Sequence, residues 1–265
     1  MNTINFDKVI DAVKRTKAIV LDKELKQHIS MKGDADFVTE VDFRISSFLQ
    51  KELAVLTPEI GFMSEEEDNT AISPTRWILD PIDGTTNLVY EYNMCSVSLA
   101  LCVDEVIEFG VVYNPFNDDT FIAYRGKGAF FNGEKMGPAP DREPEKCIIE
   151  FGAGSTKKYM ADLAFDIGKD VFVHCLDLRR ICSSALSVCY VAAGRLNGYF
   201  EKEIKPWDYA AATLILRECG GYMSDWYGSE IQFIKPSGYV CGTKKAFRLL
   251  REIIDKHENG TADRP

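Results

Sequence analysis

Between residues 96 and 131 the chain leaves itself little room for crossovers. Apolar runs at 96–103, 106–113, 120–124 and 129–131 are broken only by short stretches that carry Asp104-Glu105, Asn114-Pro115 and Asn117-Asp118. Parallel neighbours need a crossover of roughly a dozen residues or more, so connections this short predict an antiparallel meander. A sheet of this kind needs a partner layer on any face it buries. The flanking sequence offers helices for that purpose. Phe6, Val9, Ile10, Val13 and Val20 recur at helical spacing and predict one amphipathic helix over 6–26. Thr39 is a candidate N-cap, with Asp42 as the returning carboxylate of a capping box. Ile45, Phe48, Leu49, Leu53 and Leu56 form the apolar face of that second helix, and Pro58 ends it.

Beyond a Pro-, Gly- and charge-rich stretch at 132–145 the pattern changes to alternation. Strands are expected at 146–151, 171–174, 198–201, 222–226 and 239–241. Helices are expected at 157–168, 183–193, 208–219 and 245–256, with a frayed tail after them. The expectation is α+β and α/β architecture in two lobes. A larger mixed-sheet lobe spans 1–140, and a smaller α/β lobe spans 141–265.

With 265 residues, 46% of them hydrophobic and 27% charged, the chain can bury a large core without staples. Its net charge of −10 argues against nucleic acid or an anionic membrane as a partner. An anionic substrate would need a local device such as metal ions. No apolar run reaches the length of a membrane span, and the N-terminus lacks the apolar core of a signal peptide. The eight cysteines form no C-x-x-C pair and are read as buried free thiols of a cytoplasmic protein. His28, His174 and His257 are too scattered for a zinc site or a Ser-His-Asp triad.

The apolar residues Trp77-Ile78-Leu79 run directly into Asp80-Pro81-Ile82-Asp83-Gly84-Thr85-Thr86-Asn87. Two carboxylates three positions apart, on a turn shaped by Pro81 and Gly84, are a pair of hard oxygen ligands suited to Mg²⁺. The same residue types also make an ordinary surface β-turn. Glu65-Glu66 and Asp208, at the start of a helix, supply further carboxylates, or else a solvated charge run and a helix-terminal acid.

Taken together these motifs resemble the inositol monophosphatase family of Mg²⁺-dependent, lithium-sensitive phosphatases. The resemblance rests on four motifs in the family's order. They are Asp36-Phe37-Val38-Thr39-Glu40-Val41-Asp42, Glu65-Glu66, residues 77–87, and Trp207-Asp208-Tyr209-Ala210-Ala211-Ala212 followed by Gly220-Gly221. Ser64 stands where the family usually has Gly, and the segment between Glu66 and Trp77 is short. The resemblance implies a layered αβαβα sugar-phosphatase fold with two or three Mg²⁺ ions bound between the lobes. Glu65, Asp80 and the main-chain carbonyl of Ile82 then ligate a first ion. Asp80, Asp83 and Asp208 ligate a second, and Glu65 with water a weaker third. Asp42 and Thr85 orient the attacking water, with Glu65 beside them in the catalytic set. Backbone N–H groups at Gly84 and Thr85 hold phosphate oxygens. Arg180, Ser184, Ala185 and Glu201 fall where the family contacts its polyol. Of these, Arg180 is expected to pair with an acidic neighbour, and Ala185 to leave room for a ring.

The activity so implied is hydrolysis of a phosphate monoester, foremost myo-inositol monophosphate, by a cytoplasmic homodimer. Fructose 1,6-bisphosphate, NADP and 3′-phosphoadenosine 5′-phosphate are the alternative substrates. A catalytically idle metal-binding regulator is the alternative of another class.

Overall fold

A computed structural model describes residues 4–33, 36–67, 69, 72–154 and 157–260, without the side chains of 32, 33, 36 and 260. The chain opens with α1 (Phe6–Arg15), α2 (Lys17–Val20) and α3 (Lys23–Gln27), then a small ribbon of β1 (Ile29–Gly33) and β2 (Asp36–Thr39). Next come α4 (Glu40–Leu56), β3 (Gly61–Ser64), β4 (Thr75–Asp83) and α5 (Thr85–Val89). The expected meander follows as β5 (Ser96–Val103), β6 (Val106–Asn114), β7 (Asp119–Tyr124), β8 (Gly128–Phe131) and β9 (Glu134–Lys135). The rest of the chain alternates β10 (Ile148–Gly152), α6 (Ala161–Phe172), β11 (Asp177–Arg179), α7 (Ser184–Ala192) and β12 (Gly198–Ile204). It ends with α8 (Pro206–Glu218), β13 (Tyr222–Ser224), β14 (Ser237–Gly242) and α9 (Lys244–Gly260).

Strands β3 to β9 form a seven-stranded sheet in sequence order, antiparallel except for the parallel β3–β4 pair. A five-stranded mixed sheet has the order β11-β10-β12-β14-β13. Alternation along the strands sends Trp77, Leu79, Val97 and Leu99 to one face, where Val9 and Val13 of α1 and Ile45 and Leu49 of α4 cover them. Ile78, Ala100 and Val112 point the other way, onto Leu186 and Val188 of α7 and Ala211 and Ile215 of α8. The same middle layer packs Tyr199 and Tyr239 of the second sheet. The outer face of that sheet packs Ile149, Phe200 and Val240 against Ile167 of α6 and Leu250 and Ile254 of α9. The result is the layered αβαβα arrangement. The run of alanines in α8 permits a very close approach. A Cβ on Gly110 of β6 would lie 2.7 Å from the carbonyl oxygen of Ala211.

Four local expectations are corrected. The helix expected over 6–26 is broken into three, because the Thr16 hydroxyl and N–H both turn back to the Val13 carbonyl, at 2.6 and 3.1 Å. Asp22 then caps a new start by accepting the N–H groups of Glu24 and Leu25. The strand expected at 171–174 is the end of α6 and its turn. Its apolar Val171 is buried as a helical residue, and the strand comes later, at Asp177–Arg179. The strand 77–79 runs on to Asp83, so the two aspartates lie along an irregular strand end and not on a tight turn. The frayed tail is helical as far as 260. Glu258 accepts from Lys202 (2.5 Å) and Trp226 (2.7 Å), which ties it to the second sheet and its neighbouring loop. Residues 261–265 lie outside the described residues.

Candidate active site

The parallel pairing of β3 with β4 puts Ser64 opposite Leu79, so Glu65 leaves β3 beside Asp80. Glu65 N–H donates to the Leu79 carbonyl at 3.3 Å. The register of β4 on β5 shifts between Asp80 and Asp83, at Pro81, which has no N–H to give to the ladder. Gly84 then takes φ +93°, and a Cβ there would meet the carbonyl oxygens of Cys182 and Met94 at 3.1 Å. Only glycine fits this backbone without strain, and α5 begins at the next residue.

A cleft of about 500 Å³ opens here, lined by Glu65, Asp80, Ile82, Asp83, Gly84, Thr85, Arg180, Ser184, Glu201 and Asp208, with Lys157, Cys182 and Lys205 among the other walls. Asp80 is 1% exposed, and its Oδ1 is buried with no hydrogen-bond partner among the described residues. Burial, and after it the charges of Glu65, Asp83 and Asp208, push its carboxyl well above the usual range. Asp208 is raised in the same way, by burial first and then by Glu65 and Asp83, while its Oδ2 accepts the Lys205 N–H at 2.7 Å. Asp83 is also raised by burial, but the start of α7 opposes this. Ser183 Oγ donates to it at 2.5 Å, Ser184 N–H at 3.0 Å and Ala185 N–H at 2.8 Å. Among the described residues no three Asp, Glu, His or Cys side chains already form a closed metal-binding group. The donor set still suits a hard cation. It is all oxygen and mutually repelling, and it contains an orphaned buried carboxylate oxygen that a divalent ion would satisfy.

Asp42 is reached from the other side of the chain. The capping box forms as expected. Asp42 Oδ2 accepts the Thr39 N–H at 2.8 Å and its hydroxyl at 2.6 Å. The remaining oxygen accepts from Thr85 Oγ1 at 3.1 Å, and that hydroxyl also lies 3.0 Å from the Ile82 carbonyl. Burial pushes the Asp42 carboxyl up to about 6, against the Thr39 hydrogen bonds that pull it down.

The leaving-group side departs from expectation in two places. Ala185 is fully buried and offers Asp83 its N–H; it is not a wall of the cleft. Arg180 enters no ion pair among the described residues. Its guanidinium lies over the rings of Phe151 (5.4 Å) and Phe165 (5.8 Å). Glu201 and Ser184 meet through Tyr199, whose hydroxyl donates to Glu201 Oε2 at 2.6 Å and lies 2.9 Å from Ser184 Oγ. Burial raises the Glu201 carboxyl, and the Tyr199 hydrogen bond opposes the rise.

Sequence reasoning did not find Ser183, Tyr199 or Glu150. The Asn87 amide is buried, donating to the Met94 carbonyl at 2.7 Å and the Ile181 carbonyl at 2.6 Å. The reading of the cysteines as buried is corrected for Cys182, which is exposed at the cleft wall with φ +60°.

An oxygen-rich, carboxylate-lined cleft thus lies at the meeting of the two sheets in an αβαβα sandwich. The inositol monophosphatase family profile matches residues 4–259, and the chain belongs to that family. It is 33% identical over 235 residues to an inositol-1-monophosphatase of Rhizobium meliloti (strain 1021), 86% of each chain being covered. It is 34% identical over 223 residues to the Nus factor SuhB of Escherichia coli (strain K12), with 83% of each covered. Among solved structures it superposes on an IMPase/NADP phosphatase complexed with Mg²⁺ and phosphate. There the TM-score is 0.83 and the identity 28%, over 94% of each chain. No described helix is long and apolar enough to cross a membrane.

The buried acids set a pH dependence for the metal-free protein. Asp42 at about 6, and Glu150, raised by burial to about 7, hold protons in the folded state that unfolded carboxylates have already lost. Their contribution to stability is therefore present at acid pH and lost as pH rises through the folded values. Between pH 5.5 and 7.5 the loss is on the order of 2–3 kcal/mol, a fall of about 5–10 °C in Tm. Calorimetry in EDTA checks this. A Tm in EDTA that rises from pH 5.5 to 7.5 refutes it.

Proposed function

We propose that this chain hydrolyses phosphate monoesters of polyols, inositol 1-phosphate foremost, in a Mg²⁺-dependent reaction. The observation that carries the reading is the convergence of Glu65, Asp80, Asp83 and Asp208 on one cleft beside the Thr85–Asp42 pair. Glu65, Asp80 and the Ile82 carbonyl are assigned to one ion, Asp80, Asp83 and Asp208 to a second, and Glu65 to a weaker third. Ions held there supply the positive charge that neutralises a phosphate dianion and favours ionisation of water.

The chain's own groups do the rest. Thr85 accepts a hydrogen bond from the attacking water and passes its own to Asp42, which fixes the direction of attack. The Gly84 and Thr85 N–H groups hold phosphate oxygens. Water attacks phosphorus in line with the departing alkoxide. One P–O bond forms as the other breaks; of the water's two protons, one stays on the phosphate it has joined and the other, released as the water ionises, ends on the departing alkoxide oxygen, which leaves as the alcohol. Glu201, with Ser184, receives the polyol hydroxyls. On this reading residues 1–140 form the metal-bearing lobe and 141–265 the lobe that completes the site.

A second reading, toward a substrate with two anionic groups, is favoured by one observation. Arg180 lines the cleft without an ion pair among the described residues, its charge felt by Glu201, and Lys205 lies close by on Trp207. Side-by-side kinetics with Mg²⁺ on inositol 1-phosphate, fructose 1,6-bisphosphate, NADP and 3′-phosphoadenosine 5′-phosphate decide between the two. The first substrate is expected to give the highest kcat/KM. Glu201→Gln should raise its KM about tenfold, the effect of losing one hydrogen bond to a charged group, with kcat little changed. A clear preference for a bisphosphate or nucleotide sinks the inositol assignment, and no turnover of any of the four sinks the phosphatase.

A further inference from the structure

Glu150, on β10, an inner strand of the five-stranded sheet, has no part in the chemistry described above, yet it is a carboxylate 1% exposed in a protein interior. Its Oε1 accepts the N–H groups of Ile181 (2.7 Å) and Cys182 (3.4 Å). From the opposite side Asn87, four residues after Asp83, donates to the Ile181 carbonyl at 2.6 Å and lies 3.5 Å from that of Cys182. The strap 181–183 is thus held by its N–H groups from the second sheet and by its carbonyls from α5. It contains Cys182 in the left-handed region, a conformation that costs a non-glycine residue about 1–3 kcal/mol and persists only when its surroundings over-determine it. The strap leads directly into the three donors that grip Asp83: Ser183 Oγ, Ser184 N–H and Ala185 N–H.

We infer that Glu150 is a positioning residue for the active site: through the Ile181 and Cys182 N–H groups it sets the start of α7, and with it the direction in which the Asp83 carboxylate faces the cleft. An apolar residue at this depth would avoid the burial that pushes the Glu150 carboxyl to about 7. A carboxylate here makes sense as an acceptor for two part-buried N–H groups of the strap. The role rests on the phosphatase reading given above.

The test compares Glu150→Leu, which keeps bulk and removes the acceptor, with Glu150→Gln, whose amide oxygen still accepts. In the Leu variant hydrogen exchange should quicken at 181–187 and in the peptide that carries Asp83. Affinity for Mg²⁺ alone, by calorimetry, should weaken about tenfold, and kcat should fall about tenfold, the range seen when groups supporting a ligand are lost. KM should stay within about threefold, and the Gln variant should recover both quantities to within about threefold. If Glu150→Leu does not fold, Glu150→Asp, one methylene short of the strap, takes its place with the same expected losses. A variant with wild-type exchange, Mg²⁺ affinity and kcat overturns the role, as does a Gln variant no better than Leu. A wild-type protein that neither binds Mg²⁺ nor turns over substrate overturns the phosphatase reading instead, and this role with it.

Discussion

Asp80→Asn is expected to abolish hydrolysis while making the metal-free protein more stable. Asp80 faces Glu65, Asp83 and Asp208 with a buried oxygen that nothing among the described residues satisfies. It is assigned to both principal ions, so its loss leaves each of them one charged ligand short. A fall in kcat/KM on the order of 10³-fold, about 4 kcal/mol of barrier, is the expected size. Stability moves the other way because a neutral amide removes one of several carboxylates that repel one another in a low-dielectric pocket. In EDTA at pH 7.5, Tm should rise by about 2–4 °C for each kcal/mol of repulsion relieved. Saturating Mg²⁺ should stabilise the wild type more than the variant, since only what binds the folded state shifts Tm. Retained turnover at moderate Mg²⁺, or a variant that melts lower in EDTA, contradicts the assignment.

Asp42→Asn should be nearly as damaging to catalysis and almost silent in stability. The asparagine oxygen can take over both bonds from Thr39, which keeps the capping box at the start of α4. The amide nitrogen then faces Thr85 Oγ1, where Asp42 now accepts at 3.1 Å. A nitrogen donor there must be received by the Thr85 oxygen, which turns the hydroxyl proton toward the Ile82 carbonyl, 3.0 Å away. One of the two hydroxyl lone pairs is then held by the amide and the proton no longer points at a carboxylate, so the attacking water loses its oriented acceptor. A loss of about 10²–10³-fold in kcat fits the removal of one positioned proton-handling pair. Tm should stay within a few degrees, in contrast to Asp42→Ala, which strips the cap and leaves the buried Thr39 donors unpaired at about 1–2 kcal/mol. Equal kcat in wild type and Asp42→Asn removes Thr85 and Asp42 from the reaction.

Much of the site could be read along the chain because its parts are local. The capping box spans Thr39 to Asp42, and the run from Asp80 to Thr85 carries its own proline, glycine and hydroxyl. The meander of β5 to β8 was legible for the same reason, since its connections are shorter than any crossover. The break at Thr16 was not, because threonine is an unremarkable helix residue until its hydroxyl turns back on the Val13 carbonyl. The C-terminal residues read as a polar tail because their partners, Lys202 and Trp226, are 56 and 32 positions away.

By itself the sequence determined the things that depend on neighbours within a few residues. These are where helices are capped, which faces alternate, and that two aspartates and a glycine follow a buried strand. Tertiary structure decided what those residues mean for one another. Ser183 reaches Asp83 across 100 positions, and Glu150 reaches Ile181 across 31. The β3–β4 register, a pairing between segments, brings Glu65 beside Asp80. Arg180 lies on two aromatic rings and forms no ion pair among the described residues, and Ala185 serves through its backbone. The physical reason is that propensity and capping act through bonds a few residues long, whereas desolvation and charge repulsion act through space. The raised carboxyls of Asp80 and Asp208 come first from the layers that close over them, and no spacing in the chain encodes that burial.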